Sequence, residues 1–320
     1  MKKTTIWLIA ATSLVLVGSI IFVGVMQMLK WDFTKLSTVK YESSSYELNE
    51  EYKDILIESD TADIIFAPAE DTVTKVVCYE QKNITHKVEI KDGALKIIID
   101  DNRKWYDHIG IGFNTSKITV YMPKEEYGKL SVKSDTGDIK IPDDYKFQSI
   151  EISQSTGDTE CYAPVKESLK IKTSTGHIKL KNMSAKSVNL SVSTGDIALS
   201  KVECEGELKI KVSTGDAKLT DVNCKNLVSS GSTGDISLEN TIAKEGFSIE
   251  RSTGDVKFKK CDAQSLDIKT DTGSVKGTLR SEKVFITNSD TGSISVPHTT
   301  SGGKCEITTD TGNIKIEIEP

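Results

Sequence analysis

Two hydrophobic patterns divide the chain. Ile6 to Leu29, IWLIAATSLVLVGSIIFVGVMQML, carries no charge; as a helix it is roughly 36 Å long, enough to cross a bilayer core of about 30 Å with some tilt. Beyond residue 130 the apolar residues instead recur at a fixed period around a Thr-Gly dipeptide. Its glycines stand at 137, 157, 176, 195, 215, 234, 254, 273, 292 and 312, always 19 or 20 apart. Counting each glycine as zero, apolar residues fall at −7, −5, +2, +4, +7 and often +9. In the Gly215 repeat these are Leu208, Ile210, Ala217, Leu219, Val222 and Cys224. Alternation by two means strands with one buried face, and the slip of phase between +4 and +7 predicts a second corner.

Two or three short strands cannot bury their own apolar face, so the repeats must stack. The expectation is an all-β fold, a parallel β-solenoid of about ten 19–20-residue rungs, residues 131–320, forming a rod of roughly 48 Å at about 4.8 Å per rung. The glycine supplies the positive φ of a corner. The Thr before it, Thr136 to Thr311, is expected to face inward, its hydroxyls bonding to neighbouring rungs. Residues 55–130 break the period and read as an irregular β cap with a first rung. Within them, Asp60–Asp63 is a degenerate corner and Asp92-Gly93 the turn of a hairpin. The polar stretch 30–54 reads as a stalk, and Glu317, Glu319 and Pro320 as residues that discourage a strand from adding to the C-terminal edge.

Charge sets the membrane reading. Lys2 and Lys3 precede the apolar helix, favouring a cytoplasmic N-terminus (1–5), a single transmembrane helix (6–29) and an extracytoplasmic solenoid, while Lys30 and Lys35 weaken that bias. No small-x-small cleavage site follows the helix, which favours an anchor over a removed signal peptide. No Cys precedes Cys78, so no acylation site is expected there. The net charge of −6 offers no attraction for nucleic acid.

The stretch ITVYMPKEEYGKLSVKSDTGDIKI, 118–141, and the STGDI-like corners after it resemble the bacterial β-strand-repeat proteins grouped under the label "putative adhesin", related to the toastrack domains of envelope-stress proteins. The resemblance covers about residues 55–320. It implies a membrane-tethered β-solenoid of the bacterial envelope with a role in stress sensing or surface interaction, and it carries over no catalytic residue.

Candidate chemistry is thin beside that architecture. Asp-Thr-Gly-Ser at 271–274 and 290–293 matches the aspartic-protease signature, but that chemistry needs two carboxylates facing each other across a cleft between lobes, and these lie on neighbouring rungs. Carbohydrate-active β-helix enzymes build their sites from long loops, for which a period varying by one residue leaves no room. The +1 column is more telling: Asp138, Asp158, His177, Asp196, Asp216, Asp235, Asp255, Ser274, Ser293 and Asn313. Like charges 4.8 Å apart repel by about 0.9 kcal/mol per pair in water. The column therefore either caps corners by accepting backbone N–H bonds or binds cations such as Ca²⁺, with Asp196, Asp216, Asp235 and Asp255 the candidate ligands. In the last three rungs an acid stands at −2 instead, as Asp271, Asp290 and Asp310.

Cys161, Cys204, Cys224, Cys261 and Cys305 fall on inward positions and read as free, packed thiols, Cys204 and Cys224 stacking on adjacent rungs. No other cofactor is expected. Residues 100–116, DDNRKWYDHIGIGFNTS, concentrate Trp105, Tyr106, His108 and Phe113, a candidate partner site if they do not fold down as a lid. The reading is thus a non-catalytic, membrane-tethered envelope module for binding, adhesion or stress sensing. Its partners are the membrane, through Ile6–Leu29, and an unidentified envelope or surface ligand, with homo-oligomers open. The alternative is a self-assembling or cytoplasmic membrane-anchored scaffold; a carbohydrate-active enzyme stands further off.

Overall fold

In the computed structural model, which describes residues 3–36, 39–103 and 114–319, one helix precedes an all-β body. The helix, Lys3–Met28, is apolar around its whole circumference and long enough to span a bilayer. The body is a parallel β-solenoid. Ten Thr-Gly rungs stack on a first rung built from Asp54–Thr61 and Asp63–Pro68, each strand paired in parallel with the equivalent strand of the next rung, as in Leu190↔Ile210 and Ile197↔Ala217.

The apolar columns point where the period places them. Leu208, Ile210, Ala217, Leu219, Val222 and Cys224 are all buried, and their apolar counterparts along the stacked rungs, the Gly292 rung excepted, join them in one continuous core. Each fully buried Leu or Ile contributes about 1.5–3 kcal/mol against conformational entropy. The phase slip after +4 is made by a single left-handed residue at +6, Asn182, Lys201, Asp221, Asn240 and Lys260 in five successive rungs, with φ between 48° and 55°. The glycine corner has a harder requirement. At Gly195 φ is 131°, and a β-carbon would collide with the carbonyl oxygen of Gly176 below it. The first rung carries Ala62 at the equivalent place and needs no glycine, because its φ is not positive.

Three expectations are corrected. The Thr of each Thr-Gly is exposed, not inward, because the chain turns one residue before the glycine. It is the Thr carbonyl that bonds to the preceding rung, as in Gly195 N–H to Thr214 O at 2.9 Å. The inward hydroxyls stand at −3: Thr270 Oγ1 donates to Gly254 O (3.1 Å) and Thr309 Oγ1 to Gly273 O (2.9 Å).

The stretch taken as a stalk contains a strand, Tyr41–Leu48, antiparallel to Thr74–Gln81. Tyr46 and Leu48 pack against the core and Tyr41 stacks on Tyr79 with ring centroids 5.2 Å apart, enough apolar surface to hold a mostly polar segment. The hairpin follows expectation. Asp92 and Gly93, both with positive φ, turn a hairpin from Ile84–Lys91 to Ala94–Asp101, whose second strand flanks the first rung.

The C-terminal order is also different. Strand Gly303–Thr311 lies between Leu266–Thr272 and Lys283–Thr291, and Ile314–Ile318 lies between Val275–Leu279 and Ile294–Ser295. The last rung in sequence is therefore inserted, and the Gly292 rung ends the rod; Glu317 and Glu319 do not form its edge. The inward residues explain the exchange. The inserted rung offers Cys305, Ile307, Ile314 and Ile316, all buried, whereas the terminal one offers Phe285, Thr287, Ser289 and Ile294, which lose less by facing water.

Candidate functional site

The +1 column forms a side-chain ladder. Each side-chain acceptor takes the backbone N–H of the +1 residue on the next rung. Oδ1 of Asp63 takes Asp138 (2.9 Å), Asp138 takes Asp158 (3.0 Å), Asp158 takes His177 (2.8 Å), and His177 Nδ1 takes Asp196 (3.1 Å). Asp196 then takes Asp216 (2.8 Å), Asp216 takes Asp235 (2.8 Å), Asp235 takes Asp255 (2.9 Å) and Asp255 takes Ser274 (3.0 Å). In the terminal rungs the hydroxyl of Ser274 and the amide of Asn313 replace the carboxylate, and the links run Ser274, Asn313, Ser293, in the exchanged order. Asp271, Asp290 and Asp310 do not take over this role.

Electrostatics around the ladder are balanced by lysines at +3. Lys257 pairs with both Asp235 and Asp255, and Lys276 Nζ lies 3.2 Å from Asp255 Oδ2. Burial pushes the Asp235 and Asp255 carboxyls up, but the hydrogen bonds they accept from lysine and from the next rung's N–H outweigh it and hold both below the usual carboxylate range. Each of Asp196, Asp216, Asp235 and Asp255 thus has one oxygen bound to backbone. Among the described residues no group of three or more His, Cys, Asp or Glu is arranged to hold a metal ion.

A second column, polar in seven of its ten rungs and interrupted by Val192, Val212 and Gly231, runs inside the rod at −3, and sequence reasoning missed it. At the cap it ends in Ser59, whose Oγ lies 3.1 Å from His86 Nε2, while His86 Nδ1 lies 2.7 Å from Glu80 Oε2. The order serine, imidazole, carboxylate is that of a hydrolytic relay. All three side chains are buried, however, and Tyr46 and Cys78 share their surroundings, so the trio reads as a plug on the end of the column. Further along, Arg251 is buried with its Nη2 3.1 Å from Ser229 Oγ. Burial pushes its pKa down against the attraction of Asp216 and Asp235. The signal for Arg251 was present: Gly231, at −3 one rung earlier, leaves room for it.

All six cysteines are buried and unpaired. Burial raises their thiols, those of Cys78, Cys161, Cys224 and Cys305 to about 12. Cys204 and Cys224 stand on adjacent rungs, each thiol directed at a backbone carbonyl. Trp105, Tyr106, His108 and Phe113 lie outside the described residues. A cleft of about 700 Å³ between cap and second rung is lined by Leu48, Tyr52, Pro123 and Tyr127 together with Glu50, Glu51, Glu125 and Glu126.

A laddered parallel solenoid behind one apolar helix defines the class of protein. The chain belongs to the family described as Toastrack DUF4097, whose model matches residues 52–210 and 205–320. No curated protein matches the sequence. Among solved structures, a "putative lipid binding protein" of Parabacteroides distasonis aligns over 88% of this chain and 98% of its own, at 16% identity and a TM-score of 0.51. A "putative adhesin" of Bacteroides fragilis covers 87% and 97% at 16% identity and 0.40, and one of Parabacteroides distasonis 87% and 98% at 12% and 0.49. At such identities the likeness concerns the fold.

Proposed function

We propose that the protein is a non-catalytic binding module held at the cell membrane by its N-terminal helix, with the N-terminus cytoplasmic and the solenoid presented outside as a rigid rod. The observation that carries this reading is the junction of helix and rod. The most apolar stretch of the helix packs against none of the other described residues, and 12 residues, 29–40, join it to the strand at Tyr41 on the capped end, a reach of at most about 40 Å. The helix therefore leaves one end of the rod near the bilayer and the rungs carry the other end away from it. A rod of this kind offers long, regular outer walls, and the relay-like trio at Ser59 is buried.

The adhesin descriptions of the structural neighbours support a surface role, and an envelope or cell-surface ligand is the partner class we assign. The lipid-binding description of one neighbour is not carried over: the cleft near the cap is lined by four glutamates against one lysine, Lys53, a balance that repels anionic headgroups.

Alkaline carbonate extraction of membranes, combined with the intact mass of the extracted chain, tests the tether. The full-length mass in the carbonate-resistant pellet is expected; a chain beginning after residue 29 in the soluble fraction contradicts it.

A further inference from the structure

The rung that ends the rod is unlike the rest. Among the described residues, strand Lys283–Thr291 pairs with one strand only, Gly303–Thr311, and Ile294–Ser295 only with Ile314–Ile318; from the following loop the Thr299 hydroxyl bonds to the Lys283 carbonyl at the strand's start. In the other nine repeats the outward position eight before the glycine is polar or Gly, from Lys129 to Lys304; in this rung it is Val284. The position six before is polar or charged in eight of ten repeats, the exceptions being Val228 and Ile286. Val284 is 38% exposed, Ile286 50% and Ile294 44%. Sheet edges are normally blunted by outward charge, proline or a covering loop. Between Lys283, whose Nζ is turned inward onto Asp262 (2.7 Å), and Asp290 this strand carries neither an outward charge nor a proline.

We propose that this edge docks a second copy of the chain, the two rods meeting end to end about a two-fold axis with their Lys283–Thr291 strands antiparallel. Two features select a copy over a foreign strand. In the register centred on Phe285, Val284 of each copy stands opposite Ile286 of the other on the outer face, and Phe285 meets its own counterpart on the inner face. All the exposed apolar side chains of the strand are then matched, Lys283 faces Thr287, and no like charges are opposed. In addition, the strands at the edge of the other end of the rod, Ile84–Lys91 and Tyr41–Leu48, carry the charges Lys87, Glu89, Lys91, Glu42 and Glu47, which discourage a strand from adding there. The contact is isologous and closes at two copies. Given the tethered reading above, on which this corollary rests, the two helices lie at opposite ends of the paired rods, and the pair bridges two apposed membranes.

Sedimentation velocity on the full chain in detergent tests the pairing. Dimers are expected, with Ile286→Lys raising the dissociation constant at least about tenfold. Lys occupies the same outward position at Lys170 and Lys209, so unchanged circular dichroism is expected to certify the variant's fold. Phe285→Cys is expected to give a reducible covalent dimer on mild oxidation, the native thiols being buried. A monomeric wild type, assemblies larger than two, or dimers indifferent to Ile286→Lys would overturn the proposal. Vesicles reconstituted with the full chain are expected to cluster, and those with Ile286→Lys not to. Dimers in detergent without vesicle clustering would overturn the tethered reading and leave the pairing standing.

Discussion

The guanidinium of Arg251 occupies the space beneath Gly231, where a β-carbon on that glycine would stand. The two residues share the inward −3 column on adjacent rungs, Gly231↔Arg251, and the missing side chain of one is the room for the other.

Gly231→Val is therefore expected to destabilise the rod by about 2–4 kcal/mol through overpacking. Arg251→Val in the same chain is expected to restore part of that loss: the collision with the guanidinium goes and a buried charge leaves with the arginine, while the Val212 carbonyl, 2.5 Å from the same β-carbon, stays. Urea titration of the two single variants and the double variant checks it; additive losses would show that the sites are not coupled.

The corners rank their own substitutions. Gly195→Ala must relieve both a positive φ and a collision with the Gly176 carbonyl, and a loss above about 3 kcal/mol is expected. Asp216→Ala removes one acceptor from the Asp235 N–H and is expected to cost about 1 kcal/mol. Asp216→Asn is expected to cost little, since Asn313 performs the same task for Ser293. Thermal melts that placed Asp216→Asn with Asp216→Ala would mean that charge, not the hydrogen bond, is what the ladder uses.

How far the sequence carried this architecture depends on what a period can encode. The rungs, the φ > 0 glycine and the inward apolar columns follow from counting, as Leu208 to Cys224 illustrate. Rung order does not: a repeat is the same whether Gly312 follows Gly292 in space or slips beneath it, and only Thr287 and Ser289 on inward positions hinted that the Gly292 rung belongs at the end. The strand Tyr41–Leu48 was hidden because its pairing with Thr74–Gln81 leaves half of its residues exposed and none fully buried. The Thr column was misplaced since parity at −1 matches the inward set, and nothing local announces that the chain has already begun to turn. The ladder was legible as a column of acids, but the direction of its bonds needed the registers.

Acid should weaken the rod through the ladder. Asp235 and Asp255 have folded pKa values held below their unfolded ones, so their contribution is complete above an unfolded carboxylate value of about 3.9 and is lost as pH falls through the depressed folded values. Stability should be level above about pH 5 and decline below about pH 4. Asp235→Asn with Asp255→Asn should flatten that decline in a pH series of urea midpoints; an undiminished slope would move its origin to other carboxylates.

The thiols give the opposite dependence. With folded pKa values raised by burial, the six cysteines retain protons that the unfolded chain releases, so their contribution is present below an unfolded value of about 8.5 and is lost as pH rises above it. Native protein is expected to react with Ellman's reagent at pH 8 only as fast as it opens, and to yield six thiols once denatured. Fast reaction of one thiol in native protein would contradict the packed core around it.

The account stands most directly on which side of the membrane the rod occupies. Protease digestion of a C-terminal tag in intact cells, with lysed cells as control, measures it. Loss of the tag in intact cells is the expected result, since the rungs carry that end away from an outward-facing cap. Protection until lysis would contradict the surface-module reading and place the rod inside the cell.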